Sequence, residues 1–358
     1  MIEALAVAQA REHDVTVYGS TQFCEGGDFE GVRVRAFRLP QGKHLHAATL
    51  VVASSFDVLA SGRFDLIHVH GVENSFTVPV LRLRSRVVTT NHGPTHEREK
   101  WGPVAKALIK STEPGCVKWA DRATAVARSQ AAALSERYGV DVAYIPNGVD
   151  LGTRPDAPGA RAFAAEHGVE PGGYALFAAA RVDPTKGCLT LLRAWRQLGC
   201  PTPLLVVGDL WHAPGHEGEL REAANGMAVT FVPRIEDKAL LAGVVSAAGV
   251  FIFPSTVEAM SMMLLEVMSL GVPVIASDIA ENTDVLPDGA WTFAAGDPGD
   301  LARAYRDFAL ESPEVVRERA RQRAVSVAEG HSWPRIVEQY EAVYRAALDS
   351  PRGGRARS

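Results

Sequence analysis

Short apolar runs rich in Val and Ile alternate along this chain with longer stretches of helical period, the pattern of parallel α/β units covered on both faces. DVTVYG (14–19), VRVRAF (32–37), LIHVHG (66–71), RVVTTNHG (86–93), RATAVA (122–127) and VAYIPNG (142–148) predict strands of one sheet within an N-terminal domain, residues 1–150. A turn-rich segment, 151–172, reads as a linker. The alternation then restarts as YALFAAAR (174–181), PLLVVGD (203–209), VTFVPR (229–234), VFIFPS (250–255), PVIASD (273–278) and WTFAAGD (291–297), predicting a second sheet in a domain spanning 173–332. Helical patterns cover 298–330 and 333–349, the latter returning toward the N-terminal domain, and residues 350–358 read as a disordered tail. Two doubly wound domains place a cleft between the carboxyl ends of their strands, where ligands of such sheets bind.

One feature breaks the pattern. The chain opens inside what reads as a first helix, Ile2 to His13, where such a domain normally starts with a central strand and a Gly-rich turn. Without that strand its neighbours' edges are unpaired, at about 1–3 kcal/mol per buried unsatisfied group. The expectation is a chain lacking the first strand, through a start placed too late or a truncated copy; the alternative is another element filling the gap.

Composition narrows the class. At 358 residues, 47% hydrophobic and 22% charged, the chain fits a globular protein of two domains and excludes disorder as its main state. Its net charge of -5 argues against nucleic acid as a partner. The longest apolar run, 244–253, falls short of the roughly 18–20 residues of a membrane span. MIEALAVAQAREHD lacks the basic start and unbroken apolar core of a secretory signal. Cys24, Cys116, Cys188 and Cys200 form no C-x2-C pair, so neither zinc nor a disulfide framework is expected, and a cytoplasmic location is.

Two segments bring charged groups to strand ends. In PSTVEAMSMMLLEVMSLGVPVIASD (254–278), Glu258 ends the loop after a buried strand, and the apolar pattern from Ala259 to Leu270 predicts a helix stopped by Gly271 and Pro273. With Glu258 at the helix start, Glu266 lies about 12 Å along the axis. The unpaired amides around Met260 to Met263 would form an anion site suited to a diphosphate. A plain alternative makes Glu258 a capping acid and Glu266 a solvated residue. Against it, Glu266 sits among Leu264, Leu265, Val267 and Met268, a costly place for an idle charge. In AAARVDPTKG (178–187), Arg181 closes a strand and Lys186 follows on a turn, two cations at one strand end that suit a phosphate; an ordinary exposed pair is the alternative.

In this order and spacing the segments resemble the retaining glycosyltransferases of family 4, whose Arg-x4-Lys-Gly element precedes a Pro-Ser, Glu-x7-Glu, Gly-x-Pro-Val element. FDLIHVHG, VVTTNHG, ADRATAVARSQ, IPNGVD, VTFVPRIEDK and HSW look like further landmarks, so the likeness runs from about residue 3 to 349. The resemblance implies the GT-B fold, two Rossmann-like domains, and a metal-independent hexosyltransferase that takes a UDP-sugar or GDP-sugar, UDP being favoured by family frequency. By position it implies that Arg181 and Lys186 bind the departing diphosphate, that Glu266 holds the ribose hydroxyls and that Glu258 contacts the transferred sugar. It further implies that the backbone of Met260 and Ser261 touches that sugar, that the amides of Met262 and Met263 meet the phosphate, and that the backbone near Arg234 and Ile235 frames the base. His92 would face the donor sugar; alone, it reads as a polar residue at a strand-to-loop junction. Ala259-Met260-Ser261 departs from the family's Gly-Phe-Gly or Ser-Phe-Gly, and the N-terminal Gly-rich turn is absent.

Other candidates are weaker. His68 and His70 share a strand face near His92 and His96, but no carboxylate completes a metal site, and His212 and His216 lie in a Gly/Pro-rich loop. Neither G-x-G-x-x-G nor G-x4-G-K-[ST] occurs. Residues 98–122, basic with Trp101 and Trp119, suggest peripheral contact with an anionic membrane or lipid-linked acceptor, a solvated helix face being the alternative. The expected activity is hexosyl transfer to a glycan, glycolipid or small molecule. Its rivals are a non-catalytic nucleotide-sugar-binding protein and a GT-B-like sugar-nucleotide epimerase.

Overall fold

A computed structural model describes residues 1–40, 45–61, 64–93, 103–210, 215–287 and 289–350, those of 45, 47, 48 and 103–110 by backbone alone. The chain divides into two units, Met1–Gly148 together with the segment from Trp333, and Val149–Ser332.

Unit 1 runs through α1 (Ile2–Gln9), β1 (Thr16–Ser20), β2 (Gly27–Phe29), β3 (Val32–Phe37), α2 (Leu45–Ala60), β4 (Leu66–His70), α3 (Val78–Leu81), β5 (Arg86–Asn91), α4 (Pro103–Lys118), β6 (Arg122–Ala125), α5 (Arg128–Tyr138) and β7 (Val142–Tyr144). Its strands do not form the single sheet expected. They make a three-stranded sheet, β1-β3-β2, and a separate four-stranded parallel sheet, β4-β5-β6-β7. The reason is local: no described strand hydrogen-bonds to both β1 and β4, so no ladder joins the two sheets. Tyr18 packs on the apolar cluster of Val58, Val69, Val78, Leu81 and Val87.

Unit 2 contains α6 (Ala157–Glu166), β8 (Ala175–Arg181), α7 (Cys188–Gln197), β9 (Leu204–Asp209), α8 (His216–Ala224), β10 (Val229–Val232), α9 (Lys238–Ser246), β11 (Val250–Phe253), α10 (Met262–Ser269), β12 (Val274–Ser277), α11 (Ala280–Thr283), β13 (Trp291–Phe293), α12 (Pro298–Leu310) and α13 (Pro313–His331). All its strands join one parallel sheet in the order β10-β9-β8-β11-β12-β13. Their Val- and Leu-rich runs are buried on both faces, which is why they lack polar alternation. The segment read as a linker, 151–172, contains α6, whose N-cap Asp156 accepts from the Gly159 amide at 3.0 Å. The helical pattern over 298–330 is two helices, broken where Ser312 caps α13 ahead of Pro313.

The chain then re-enters unit 1 as α14 (Trp333–Asp349), whose Ile336 and Tyr340 are buried against Leu5 of α1 and Ile145 beyond β7.

Candidate active site

The sheet of unit 2 has the doubly wound order 3-2-1-4-5-6 when its strands are counted from β8. The winding reverses between β8 and β11, and crevices at that switch point, at the carboxyl ends of the strands, are where such sheets bind ligands. Both predicted segments end there. Lys186 follows β8 on a short turn, Pro184–Lys186, capped by Asp183, whose carboxylate accepts from the Thr185 amide at 3.0 Å and from the Thr185 hydroxyl. Glu258 lies in the loop after β11, and Lys186 Nζ donates to its Oε1 at 2.7 Å. Two residues remote in sequence meet because their strands are neighbours.

The two loops are also joined through backbone. The Thr256 amide donates to the Thr185 carbonyl at 2.8 Å. Gly187, at φ 70°, lies so close to Pro254 that a Cβ would stand 1.9 Å from its carbonyl oxygen. Only glycine satisfies both the left-handed backbone and this approach. Arg181 ends β8 with its side chain exposed and without a hydrogen bond among the described residues.

The helix after Glu258 starts later than the apolar pattern indicates. Ser261 is the N-cap of α10, with extended backbone and its Oγ accepting from the Leu264 amide at 3.3 Å. Glu258 therefore belongs to the loop, and the 12 Å helical spacing to Glu266 does not apply. The same cap gives Ser261, where the family has glycine, a local task. It leaves the first-turn amides of Met262 and Met263 without partners among the described residues, an N-terminal anion site narrower than the Met260 to Met263 expected. Met260 is buried just before this turn.

Glu266 is not brought to the Lys186–Glu258 pair by any hydrogen bond. It lies half-buried on α10, where burial holds its carboxyl above the ordinary range and Lys238 of α9 partly offsets the shift. Arg234, exposed, and Ile235, half-buried, follow β10. One strand, β9, separates β10 from β8, about 10 Å at the usual sheet spacing.

In unit 1, His92 follows β5, and its Nε2 lies 3.0 Å from Nδ1 of His70, the last residue of β4. His70 in turn lies against His68, with ring centroids 3.9 Å apart and the planes tilted by 34°. Gly71 and Gly93, at φ 92° and 100°, turn the chain away immediately after each histidine. Burial and the neighbouring rings push the His68 and His70 imidazoles well below their ordinary value, so both are neutral at pH 7. Sequence reasoning weighed His70 only as a metal ligand; the repeated His-Gly at neighbouring strand ends was the signal for its contact with His92. Among the described residues no group of three His, Cys, Asp or Glu is placed to hold a metal.

His96, Trp101, His212, residues 98–102 of the basic segment and the tail from 351 lie outside the described residues. Of the rest of that segment, Trp119 is exposed at the end of α4. Among the described residues no helix is long and apolar enough to cross a membrane.

Residues 1–153 match the family described as Glycosyltransferase Family 4, and residues 173–309 match Glycosyl transferases group 1, so both motif-bearing segments fall within matched regions. The chain belongs to glycosyltransferase family 4. Similar proteins include a phosphatidyl-myo-inositol mannosyltransferase of Mycobacterium leprae, 28% identical over 82% of this chain and 76% of the relative. A D-inositol 3-phosphate glycosyltransferase of Nocardia farcinica is 29% identical over 82% of this chain and 69% of the relative. Among solved structures, sucrose-phosphate synthase from Thermosynechococcus elongatus superposes with a TM-score of 0.75 at 21% identity, covering 96% of this chain and 91% of that one. The Anabaena protein HepE in complex with UDP-glucose gives 0.76 at 16% identity, covering 96% and 94%. The fold of this family 4 glycosyltransferase is GT-B.

Proposed function

We propose that this glycosyltransferase moves a hexosyl unit, with retention of configuration, from a nucleotide-diphosphate sugar to a polyol acceptor, free or lipid-linked. The observation that carries the reading is the switch point of unit 2, where Lys186, Arg181 and the first turn of α10 gather positive potential beside one carboxylate, Glu258. A departing diphosphate needs such preorganised donors, and a metal would then be dispensable. Glu258 holds Lys186 until a donor arrives and then contacts the transferred sugar. Arg234 and Ile235 follow β10, which stands two strand spacings from the β8 strand that precedes Lys186, room for a nucleobase beside its diphosphate. Glu266 serves the ribose hydroxyls, and His92 faces the donor sugar. The inositol-based names of the relatives support a cyclitol or its phosphate as acceptor, and UDP-glucose in HepE supports a uridine donor. Cytoplasmic residence, with contact to anionic membrane through residues 98–122, would give access to a lipid-linked acceptor.

Calorimetric titration with UDP, GDP and their sugar conjugates in EDTA, alongside Lys186→Ala, tests this reading. Metal-independent binding that Lys186→Ala weakens supports it, and an axial or equatorial anomeric proton matching the donor in the isolated product establishes retention. Absence of binding by folded protein would sink it. The divided sheet of unit 1 favours one rival, a protein that binds donor without transferring it; tight binding with no product from any inositol acceptor would select that rival.

A further inference from the structure

Three imidazoles stand in a row at the carboxyl ends of β4 and β5. His68 is clamped at both nitrogens: Nδ1 meets the Tyr344 hydroxyl of α14 at 2.7 Å, and Nε2 meets Thr90 Oγ1 of β5 at 2.6 Å. Tyr344 is itself held by Gln9 of α1, whose Nε2 donates to the hydroxyl at 3.1 Å, and Thr90 by the Thr124 hydroxyl at 2.7 Å. His68 is thus fixed in place. His70 leans against it, tilted by 34° at 3.9 Å between centroids, and turns Nδ1 toward Nε2 of His92 at 3.0 Å.

We propose that His70 is the positioning residue for His92, fixing its ring and its tautomer, and that α14 secures the arrangement through Tyr344 and His68. This rests on the reading above that His92 faces the donor sugar.

The chemistry is restrictive. A neutral imidazole carries one N–H, and the contact between His70 Nδ1 and His92 Nε2 has room for one proton. If His70 donates, His92 bears its proton on Nδ1; if His92 donates, His70 bears its own on Nε2. Either way the two rings adopt the same tautomer, both Nδ1–H or both Nε2–H. Mismatched rings would set two lone pairs or two protons against each other. A hydrogen bond at one imidazole nitrogen decides what the other presents, so His70 selects whether His92 offers a donor or an acceptor at Nδ1.

The test is long-range 15N–1H spectroscopy of histidine-labelled full-length protein at pH 7, with His70 and His92 assigned from His70→Phe and His92→Gln. The expected result is one tautomer per ring, the same in both, with the His92 tautomer balance shifted in His70→Phe. His70→Asn, which returns an amide near the Nδ1 position, restores a single His92 tautomer. Opposite tautomers in the wild type, or His92 signals unmoved by His70→Phe, would overturn the proposal. Turnover is read in parallel as nucleotide release from UDP-glucose and GDP-mannose. His70→Phe lowers kcat about tenfold with KM for donor unchanged, and His70→Asn recovers most of it. If His92→Gln leaves kcat intact, the role assigned to His92 fails while the spectra still decide its positioning. If His92→Gln abolishes turnover and His70→Phe does not change it, the positioning role fails alone.

Discussion

Lys186 and Glu266 have different surroundings, and their substitutions should separate accordingly. Lys186 stands at the switch point where the proposed donor's diphosphate charge would develop, so Lys186→Ala is expected to lower kcat by about 10²- to 10³-fold, the usual loss for one preorganised donor. Glu266 has no hydrogen bond to the Lys186–Glu258 pair, and Glu266→Gln is expected to weaken donor binding about tenfold, or about 1.4 kcal/mol, with kcat nearly intact. Steady-state kinetics with calorimetric Kd values checks the division; equal effects of both substitutions on Kd with normal kcat would contradict it. Glu266 also has a pH signature. Burial raises its carboxyl above the ordinary value, so its contribution to stability is full below the ordinary carboxyl range and is lost as pH rises through the folded value. Glu266→Gln should therefore match wild type in urea near pH 4 and exceed it near pH 8. At this scale the sequence revealed charge in an apolar helix face, but not the Lys186–Glu258 contact. That contact depends on two loops drawn together by Gly187 against Pro254 and on the Thr256–Thr185 bond, which no spacing encodes.

Loops and helices supply the next level. Gly187→Ala must leave a left-handed conformation or drive its Cβ into the Pro254 carbonyl, so it should cost at least about 1–3 kcal/mol and lower turnover by separating the two loops. Thermal melts and nucleotide-release rates measured together would show whether both fall. In α14, Ile336 is fully buried beside Leu5, Ile145 and Tyr340, and Ile336→Ala should cost about 2–5 kcal/mol, seen as a shift in the denaturant midpoint. Strand existence was legible except at β2, whose exposed Gly27–Phe29 carries no apolar run, because the other strands write Val- and Ile-rich runs between turn residues. Strand pairing was less so. Apolarity tells that β1 and β4 belong inside a domain, whereas the division of unit 1 into two sheets depends on which backbone edges have a partner. The start of α10 was misplaced for a comparable reason. Ala259 and Met260 continue the apolar pattern, and only the geometry of Ser261 as a cap ends it.

The whole chain has two units, each with its own core, so unfolding is not expected to be a single all-or-none event. The proposed nucleotide site lies in unit 2. At a concentration one hundred times its Kd, UDP should stabilise that unit by about 2.7 kcal/mol, moving its thermal transition by about 5–10 °C. Scanning calorimetry should show this shift with the transition of unit 1 little moved. The chain leaves unit 1 after Gly148 and returns at Trp333, and the two crossings are stitched where the Val149 amide donates to the His331 carbonyl at 2.7 Å. This arrangement orders events on the ribosome. Unit 2 can finish soon after residue 332 emerges, whereas residues 1–148 must wait for Ile336, Tyr340 and Tyr344. At about 5–20 residues per second that wait lasts roughly 10–40 s. The unit made first is completed last.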